Sequence, residues 1–225
     1  MSIGNTAILF FSRTQHDEFK AKTFGLRKAR FADLYKFLVK KSLNTAKSTG
    51  LPVIEIYSDQ QEGSDFGERL TAALKTVSDR GYSKVIVIGN DAPELTVNDI
   101  LTADKQLSAG KQALGKDRRG GAYLIGLDIT KDYNSVIKDV DWGSHKIYEQ
   151  LSSKLGEVYE LDRKIDLNYK QDIRLLICHQ HQLTRGVLKF FKSFIKPFFS
   201  LDFSPEFQSG DYNFAYSDRG PPVLV

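Results

Sequence analysis

Short runs of β-branched and aromatic residues alternate along the sequence with longer segments whose apolar residues recur at helical spacing. The runs lie at 6–12 (TAILFFS), 53–57 (VIEIY), 85–89 (VIVIG) and 123–127 (YLIGL). This alternation is typical of a parallel or mixed sheet that is covered by helices. The chain is therefore predicted to form an α/β domain.

The segments between these runs predict helices. Thr96 can cap one of them, and another begins near Asp65. In the first helix, Leu34 and Leu38 are expected to face the core, while Lys41 and its neighbouring lysines face the solvent. The predicted helices are 27–45, 65–81, the one that follows Thr96, 146–155 and 169–180.

Composition narrows the class of protein. The 225 residues carry a formal charge of +4, which is too mild to indicate a nucleic-acid partner. Cys178 is the single cysteine, so an internal disulfide is excluded. The first residues do not form the pattern of a secretory signal, and the apolar runs are far shorter than the roughly 20 residues of a membrane-spanning helix. We therefore expect a cytoplasmic protein without a transmembrane segment.

The segment 183–199 combines apolar residues at helical spacing with four basic residues, and Pro197 interrupts it. Such a helix could lie on a membrane surface or bind an acidic partner. Alternatively, it packs on the main domain or on a second subunit, as in a homodimer. We expect residues 1–180 to form the main domain, and 181–225 to form this helix and an extended aromatic arm.

A turn with two glycines, QEGSDFGERL at 61–70, separates the second run from the helix that follows it. Such a turn can direct backbone N–H groups and a helix N-terminus at an anionic ligand. Glycines also occur wherever a helix starts abruptly, so the turn has a purely structural explanation as well.

Asp91 follows the apolar strand 85–89 at its carboxyl end. Open α/β sheets bind ligands in the crevice beyond the carboxyl ends of their strands. A carboxylate at this position suits Mg²⁺, which proteins usually hold with one or two carboxylates and with substrate oxygens. The alternative is that Asp91 only shapes the turn before Pro93.

A glycine-rich basic loop at 115–121 leads into the fourth run. Its paired glycines, Gly120 and Gly121, permit a close approach of the backbone. Lys116, Arg118 and Arg119 could contact phosphate, for which an arginine offers a bidentate fork. A solvated surface loop would have the same composition.

In this order, the three segments resemble a family of bacterial glycosyltransferase-like proteins with the GT-A fold of nucleotide-diphospho-sugar transferases. The matching motifs are Q-x-G-x-D-F-G-E-R at 61–69, G-x-D-x-P at 89–93, G-G-x-Y-L-I-G-L at 120–127, and Trp142 followed by small residues. The family is similar to the guanylyltransferases of molybdenum-cofactor and phospholactate metabolism. The resemblance implies a three-layer α/β/α, Rossmann-like fold with a mostly parallel mixed sheet, and a nucleotide bound over its first half.

The resemblance also implies the residues of a site. Trp142, Ser144 and His145 would border the acceptor, and Asp91 and Asn168 would hold a divalent cation, Mg²⁺ or Mn²⁺. Together with the residues of the basic loop, the resemblance gives these expected nucleotide and phosphate contacts: Arg13, Lys22, Gln61, Gly63, Asp65, Gly67, Arg69, Arg119, Gly120 and Gly121. No residue is assigned a catalytic role.

Three positions depart from the family pattern. Phe24 replaces the arginine of K-x-K-T-R, Arg119 stands where an aspartate is usual, and Asn168 replaces the middle aspartate of a carboxyl-terminal motif. The last two changes oppose a divalent cation, because they remove negative charge and add a positive one. Two hypotheses follow: a glycosyl- or nucleotidyltransferase that binds a nucleotide sugar or nucleoside triphosphate with metal assistance, or a catalytically impaired nucleotide-binding or interaction protein.

Overall fold

The computed structural model of the chain describes residues 5–179 and 183–195. Within these residues, six strands form a single sheet in the order β2-β1-β3-β5-β4-β6. The strands are β1 (Thr6–Ser12), β2 (Val53–Tyr57), β3 (Lys84–Ile88), β4 (Gln112–Asp117), β5 (Ala122–Asp128) and β6 (Val158–Lys164). Residues 196–225, which include the expected arm, lie outside the described residues.

The sheet is mixed and mostly parallel. β1 pairs in parallel with β2 and β3, and β4 pairs in parallel with β6. Only β5 runs in the opposite direction, because it is antiparallel to both of its neighbours, β3 and β4. This arrangement confirms the predicted sheet.

Eight α-helices surround the sheet within the described residues. Several of them begin at caps whose side chains accept a backbone hydrogen bond three residues on, among them Thr14, Asp65, Thr96 and Asp132. The helices are α1 (Gln15–Ala21), α2 (Lys28–Lys47), α3 (Phe66–Asp79), α4 (Val97–Ser108), α5 (Tyr133–Lys138), α6 (Ile147–Leu155), α7 (Lys170–Cys178) and α8 (Arg185–Ile195).

Helices cover both faces of the sheet because successive strand side chains point to opposite sides. Leu9 of β1 packs with α3, α5 and α6 on one face. Phe10, the next residue, packs with α2 and α4 on the other. These layers confirm the three-layer α/β/α fold.

A third apolar cluster joins α2, α7 and α8 at the edge of the domain. Val187, Phe191 and Phe194 of α8 are buried in it, so the apolar side of this helix packs on the described domain. No helix within 5–179 and 183–195 is long and apolar enough to cross a bilayer.

Lys41 differs from the expectation that it faces solvent. Its ammonium group reaches across to the carbonyl oxygen of Leu95, in the loop before α4. Burial lowers the pKa of Lys41 to about 8, and the positive charge of Lys164 adds to this effect. The prediction was wrong because a long lysine side chain can extend from the border of a helix face toward a buried acceptor.

Candidate functional site

The carboxyl ends of β1 and β3 form the centre of the candidate site. The chain passes from β1 to β2 on one side of β1, and then to β3 on its other side. This change of direction creates a crevice between adjacent strand ends, where open α/β sheets bind their ligands. Arg13 follows β1 at this crevice, and Asp91 follows β3.

The ammonium group of Lys22 lies among oxygen atoms in the crevice. It is 2.9 Å from Oδ2 of Asp91 and 3.0 Å from Oε1 of Glu18. The carbonyl oxygen of Leu167 accepts a hydrogen bond of 2.9 Å, and Oδ1 of Asn168 lies 3.4 Å away. Only 10% of the Lys22 side chain is exposed, so these contacts take the place of water.

The electrostatics of this group keep Lys22 charged. Burial alone would lower its pKa, but the carboxylates of Asp91, Glu18 and Asp166 outweigh burial and raise the pKa above its ordinary value. Burial would likewise raise the pKa of Asp91, yet Lys22 lowers it. The pair is therefore an ion pair.

Asp166 lies behind this ion pair. Its Oδ2 accepts a hydrogen bond of 3.0 Å from the amide of Asn168. Its Oδ1 is buried and accepts no hydrogen bond from the described residues. Burial, followed by the charge of Asp91, raises the pKa of Asp166 well above its usual range.

Glu18 connects Lys22 to Arg13. One carboxylate oxygen contacts Lys22, and the other accepts a hydrogen bond of 3.2 Å from Nη1 of Arg13. Glu18 is buried, whereas 24% of the Arg13 side chain remains exposed. Two cationic side chains therefore lie side by side at the end of β1, with Arg13 nearer to the solvent.

The segment after β6 is fastened to the segment after β3. The backbone N–H of Leu167 donates to the carbonyl oxygen of Asp91 at 2.8 Å, and that of Ile165 donates to Oε2 of Glu94 at 2.6 Å. Lys164 forms an ion pair of 3.0 Å with Asp99. These contacts hold Asn168 next to Asp91, although the two are far apart in sequence.

Arg119 closes the far side of the crevice. Its guanidinium pairs with Oδ1 of Asp172, a fully buried carboxylate at the start of α7, and lies 4.8 Å from the ring centre of Tyr169. The other Asp172 oxygen accepts the backbone N–H groups of Asn168 and Tyr169 at 2.8 and 2.7 Å. Asp172 thus links Arg119 to the oxygen group around Lys22.

Asp117 shapes the loop that carries Arg119. Its Oδ1 accepts the backbone N–H groups of Arg119 and Gly121, both at 2.7 Å. A Cβ atom on Gly121 would lie 2.6 Å from Oδ2 of Asp117, and one on Gly120 would collide with the carbonyl oxygen of His145. The two glycines are therefore needed for the close packing of this loop.

The residues predicted on the acceptor side connect this loop to α3. Tyr148 donates its backbone N–H to Gly120 at 2.8 Å. The Ser144 hydroxyl donates to the carbonyl of Asp141 and so belongs to the turn before α6. The Trp142 ring lies 4.6 Å from that of Phe66, and its indole N–H donates to Ile137.

The turn 61–69 borders the opposite flank. Nε2 of Gln61 donates to the carbonyl oxygen of Ser12 at 3.0 Å, which fixes the turn to the end of β1. Asp65 caps α3, and Nε of Arg69 donates back to its carbonyl oxygen at 3.0 Å. A Cβ on Gly63 would come within 2.7 Å of Glu68, and one on Gly67 within 3.1 Å of the Trp142 indole.

The structure brings one set of predicted residues into direct contact and leaves the others on the flanks. Lys22 contacts both Asp91 and Asn168, and Arg13 joins this group through Glu18. The turn and the loop lie on either side. Sequence reasoning missed Glu18, whose only signal is its place four residues before Lys22 in a short helix.

The oxygen atoms near Asp91 show whether these residues fit the divalent cation that the resemblance implies. Within 5–179 and 183–195, no three His, Cys, Asp or Glu side chains are grouped to hold a metal ion. Asp91, Asn168 and a carbonyl oxygen do offer oxygen atoms, the ligand type that Mg²⁺ and Mn²⁺ prefer. The Lys22 ammonium already contacts all three, so these residues do not fit a metal ion as they stand.

The architecture, with this crevice, is that of the nucleotide-diphospho-sugar transferase fold. The crystal structure of a protein from Desulfovibrio desulfuricans G20, provisionally named a nucleotide-diphospho-sugar transferase, is similar with a TM-score of 0.72 and 21% identity; the match covers 87% of this chain and 98% of that chain. A Mycobacterium sp. strain JC1 homolog of the Mycobacterium tuberculosis protein Rv0371c gives a TM-score of 0.51 at 11% identity, over 83% and 98% of the two chains. A comparison with curated proteins finds no match.

The sequence identifies the family. The profile of the family described as "uncharacterized protein conserved in bacteria" (DUF2064) matches residues 26–144, more than half of the chain. The chain belongs to this family.

Proposed function

We propose that the chain binds a nucleotide sugar or a nucleoside triphosphate in the crevice beyond β1 and β3, and that it acts as a glycosyl- or nucleotidyltransferase. The observation that carries this proposal is that Arg13 and Lys22 both pair with Glu18 at the switch point of the sheet, where its ligands bind. The fold shared with the Desulfovibrio protein, whose provisional name states such an activity, supports it.

Arg13 is the cation best suited to meet a diphosphate. Its Nη1 pairs with Glu18, and about a quarter of its side chain is exposed. A guanidinium group carries five N–H donors, so further donors can form the bidentate contact that phosphate favours. Lys22, buried behind it, supplies positive charge to the same place.

The flanks of the crevice would bind the remaining parts of the ligand. The turn 61–69 lies beside the end of β1 and would position phosphate and base, as the resemblance implies. On the other flank, Arg119, Gly120 and Gly121 would contact the nucleotide or its phosphates. Trp142, Ser144 and His145 would border the acceptor.

A ligand panel tests binding. Thermal unfolding would be followed with UDP-, GDP- and dTDP-sugars and with the common nucleoside triphosphates, and affinity would be measured for the best ligand. Arg13→Gln should weaken that affinity at least tenfold, about 1.4 kcal/mol. Arg80→Gln, at the distant end of α3, is the matched control and should leave it unchanged. If no ligand raises the unfolding temperature, the proposal is wrong.

A second candidate function is a nucleotide-binding protein that has lost catalysis. The specific observation in its favour is that Asp91 and Arg119 are both engaged in ion pairs within the site, with Lys22 and Asp172. Product analysis separates the two candidates. A transferase releases nucleoside diphosphate from a nucleotide sugar, or pyrophosphate from a triphosphate, when an acceptor is present, whereas a binding protein returns its ligand intact.

A further inference from the structure

The oxygen atoms around Lys22 are of the kinds that bind hard cations. They come from two carboxylates, one side-chain amide and one backbone carbonyl, and they lie 2.9 to 3.4 Å from the ammonium nitrogen. Divalent Mg²⁺ and Ca²⁺ take the same ligand types in proteins. An ammonium group has three donors, so these contacts saturate it.

The fold fixes the position of this ammonium group from three directions. Lys22 ends α1, where its backbone N–H donates to the carbonyl oxygen of Glu18 at 2.8 Å. Asp91 comes from the end of β3, and Asn168 from the segment between β6 and α7. Because Leu167 donates its N–H to the carbonyl oxygen of Asp91, the segment that carries Asn168 is held beside the end of β3.

The charges around Lys22 do not favour the binding of a second cation. The carboxylates of Glu18 and Asp91 face Lys22, Glu18 also pairs with Arg13, and the carboxylate of Asp172 faces Arg119. A divalent ion at Asp91 would lie within a few ångströms of the ammonium, where repulsion is strong because little water screens it. Removal of Lys22 would reverse this balance and leave an oxygen group with excess negative charge.

We infer that the Lys22 ammonium group is the resident cation of this crevice, held among Glu18, Asp91 and Asn168 in the place of a divalent metal ion. Only its consequence, that a diphosphate would bind without metal, rests on the proposed function.

Direct metal binding tests the inference without any nucleotide. Free Mn²⁺ would be titrated with the full chain and followed by its electron paramagnetic resonance signal. The wild type should show no saturable site, whereas Lys22→Met, which removes the charge but keeps the side-chain volume, should bind Mn²⁺ at least about tenfold more tightly. The double variant Lys22→Met with Asp91→Asn should lose this gain, and Lys20→Met, an exposed lysine of the same helix, should behave as the wild type.

Two results would overturn the inference. One is a saturable Mn²⁺ site in the wild type that Asp91→Asn abolishes, because a metal ion would then displace Lys22. The other is the absence of Mn²⁺ binding in a folded Lys22→Met chain. If that variant does not fold, Lys22→Gln, which retains hydrogen-bond donors, carries the same test. A failure of nucleotide binding would leave these outcomes unchanged, so the two proposals fail independently.

Discussion

Lys22 shows how one side chain can determine the character of a site. Its ammonium group contacts residues from α1, from the end of β3 and from the segment before α7. The Lys20-x-Lys22 motif predicted a phosphate contact at this residue, and that role stays a prediction. What sequence could not provide is the set of partners, because Glu18, Asp91 and Asn168 meet only through the fold.

Removal of the Lys22 charge should destabilise the protein. Lys22→Met leaves the partly buried Asp91 without its cation and the buried Glu18 with Arg13 alone, and the loss of one partner of a buried ion pair costs about 3–5 kcal/mol. Lys20→Met, on the exposed side of α1, should cost less than about 0.5 kcal/mol. Urea unfolding of both variants measures the difference. Equal losses of the free energy of unfolding would show that the ion pairs of Lys22 do not stabilise the fold.

Lys41 gives the chain a pH-dependent stability above neutrality. Its pKa of about 8 in the fold lies below its ordinary value of 10.5, so the unfolded chain binds more protons between these values. Stability should therefore rise as the pH rises through this interval. The free energy of unfolding of the wild type should gain about 1 to 2 kcal/mol between pH 7.5 and 9.5 relative to Lys41→Met. A constant difference between the two chains would refute this.

At the scale of elements, the sequence predicted what depends on local pattern. The apolar runs marked β1, β2, β3 and β5, and the caps Asp65 and Thr96 marked the starts of α3 and α4. Strand β6 was not predicted, because it lies at the sheet edge and exposes most of its charged residues, which hides the strand pattern. Helix α1 escaped because it has only seven residues, and of these only Glu18 is buried.

The loop between β4 and β5 depends on Gly120 for its packing. This residue has a φ of +87°, and a Cβ would strike the carbonyl oxygen of His145. Gly120→Ala should therefore destabilise the protein by about 3 kcal/mol or more. Gly110→Ala is the matched control, since Gly110 has a φ of +84° with open space around it, and it should cost only about 1 kcal/mol. Chemical denaturation checks both, and similar losses would show that the His145 contact is not limiting.

At the scale of the whole molecule, the cluster between α2, α7 and α8 supports the far side of the crevice. Asp172, the partner of Arg119, lies in the first turn of α7, and Leu176 one turn later is fully buried in this cluster. Packing at the domain edge is therefore expected to fix the position of a charged group in the site. The segment 183–199 signalled an amphipathic helix, but sequence could not show which surface its apolar side would meet.

Adjacent leucines of α7 provide a matched test of this packing. Leu176→Ala leaves a cavity in a fully buried position and should cost about 2–5 kcal/mol. Leu175, which is 39% exposed, should lose less than about 1 kcal/mol when it is changed to alanine. Urea unfolding compares the two, and a Leu176→Ala loss as small as that of Leu175→Ala would contradict the packing of α7.

In the proposed site, a tethered ammonium group takes the place of a metal ion in the crevice where a nucleotide is proposed to bind. The most direct measurement is the affinity of the best nucleotide ligand, by isothermal titration calorimetry, in EDTA and in excess Mg²⁺. If the Lys22 ammonium occupies the cation site, the Kd should be the same in both conditions, within about twofold. A Kd at least about tenfold lower with Mg²⁺, with that gain lost in Asp91→Asn, would contradict it.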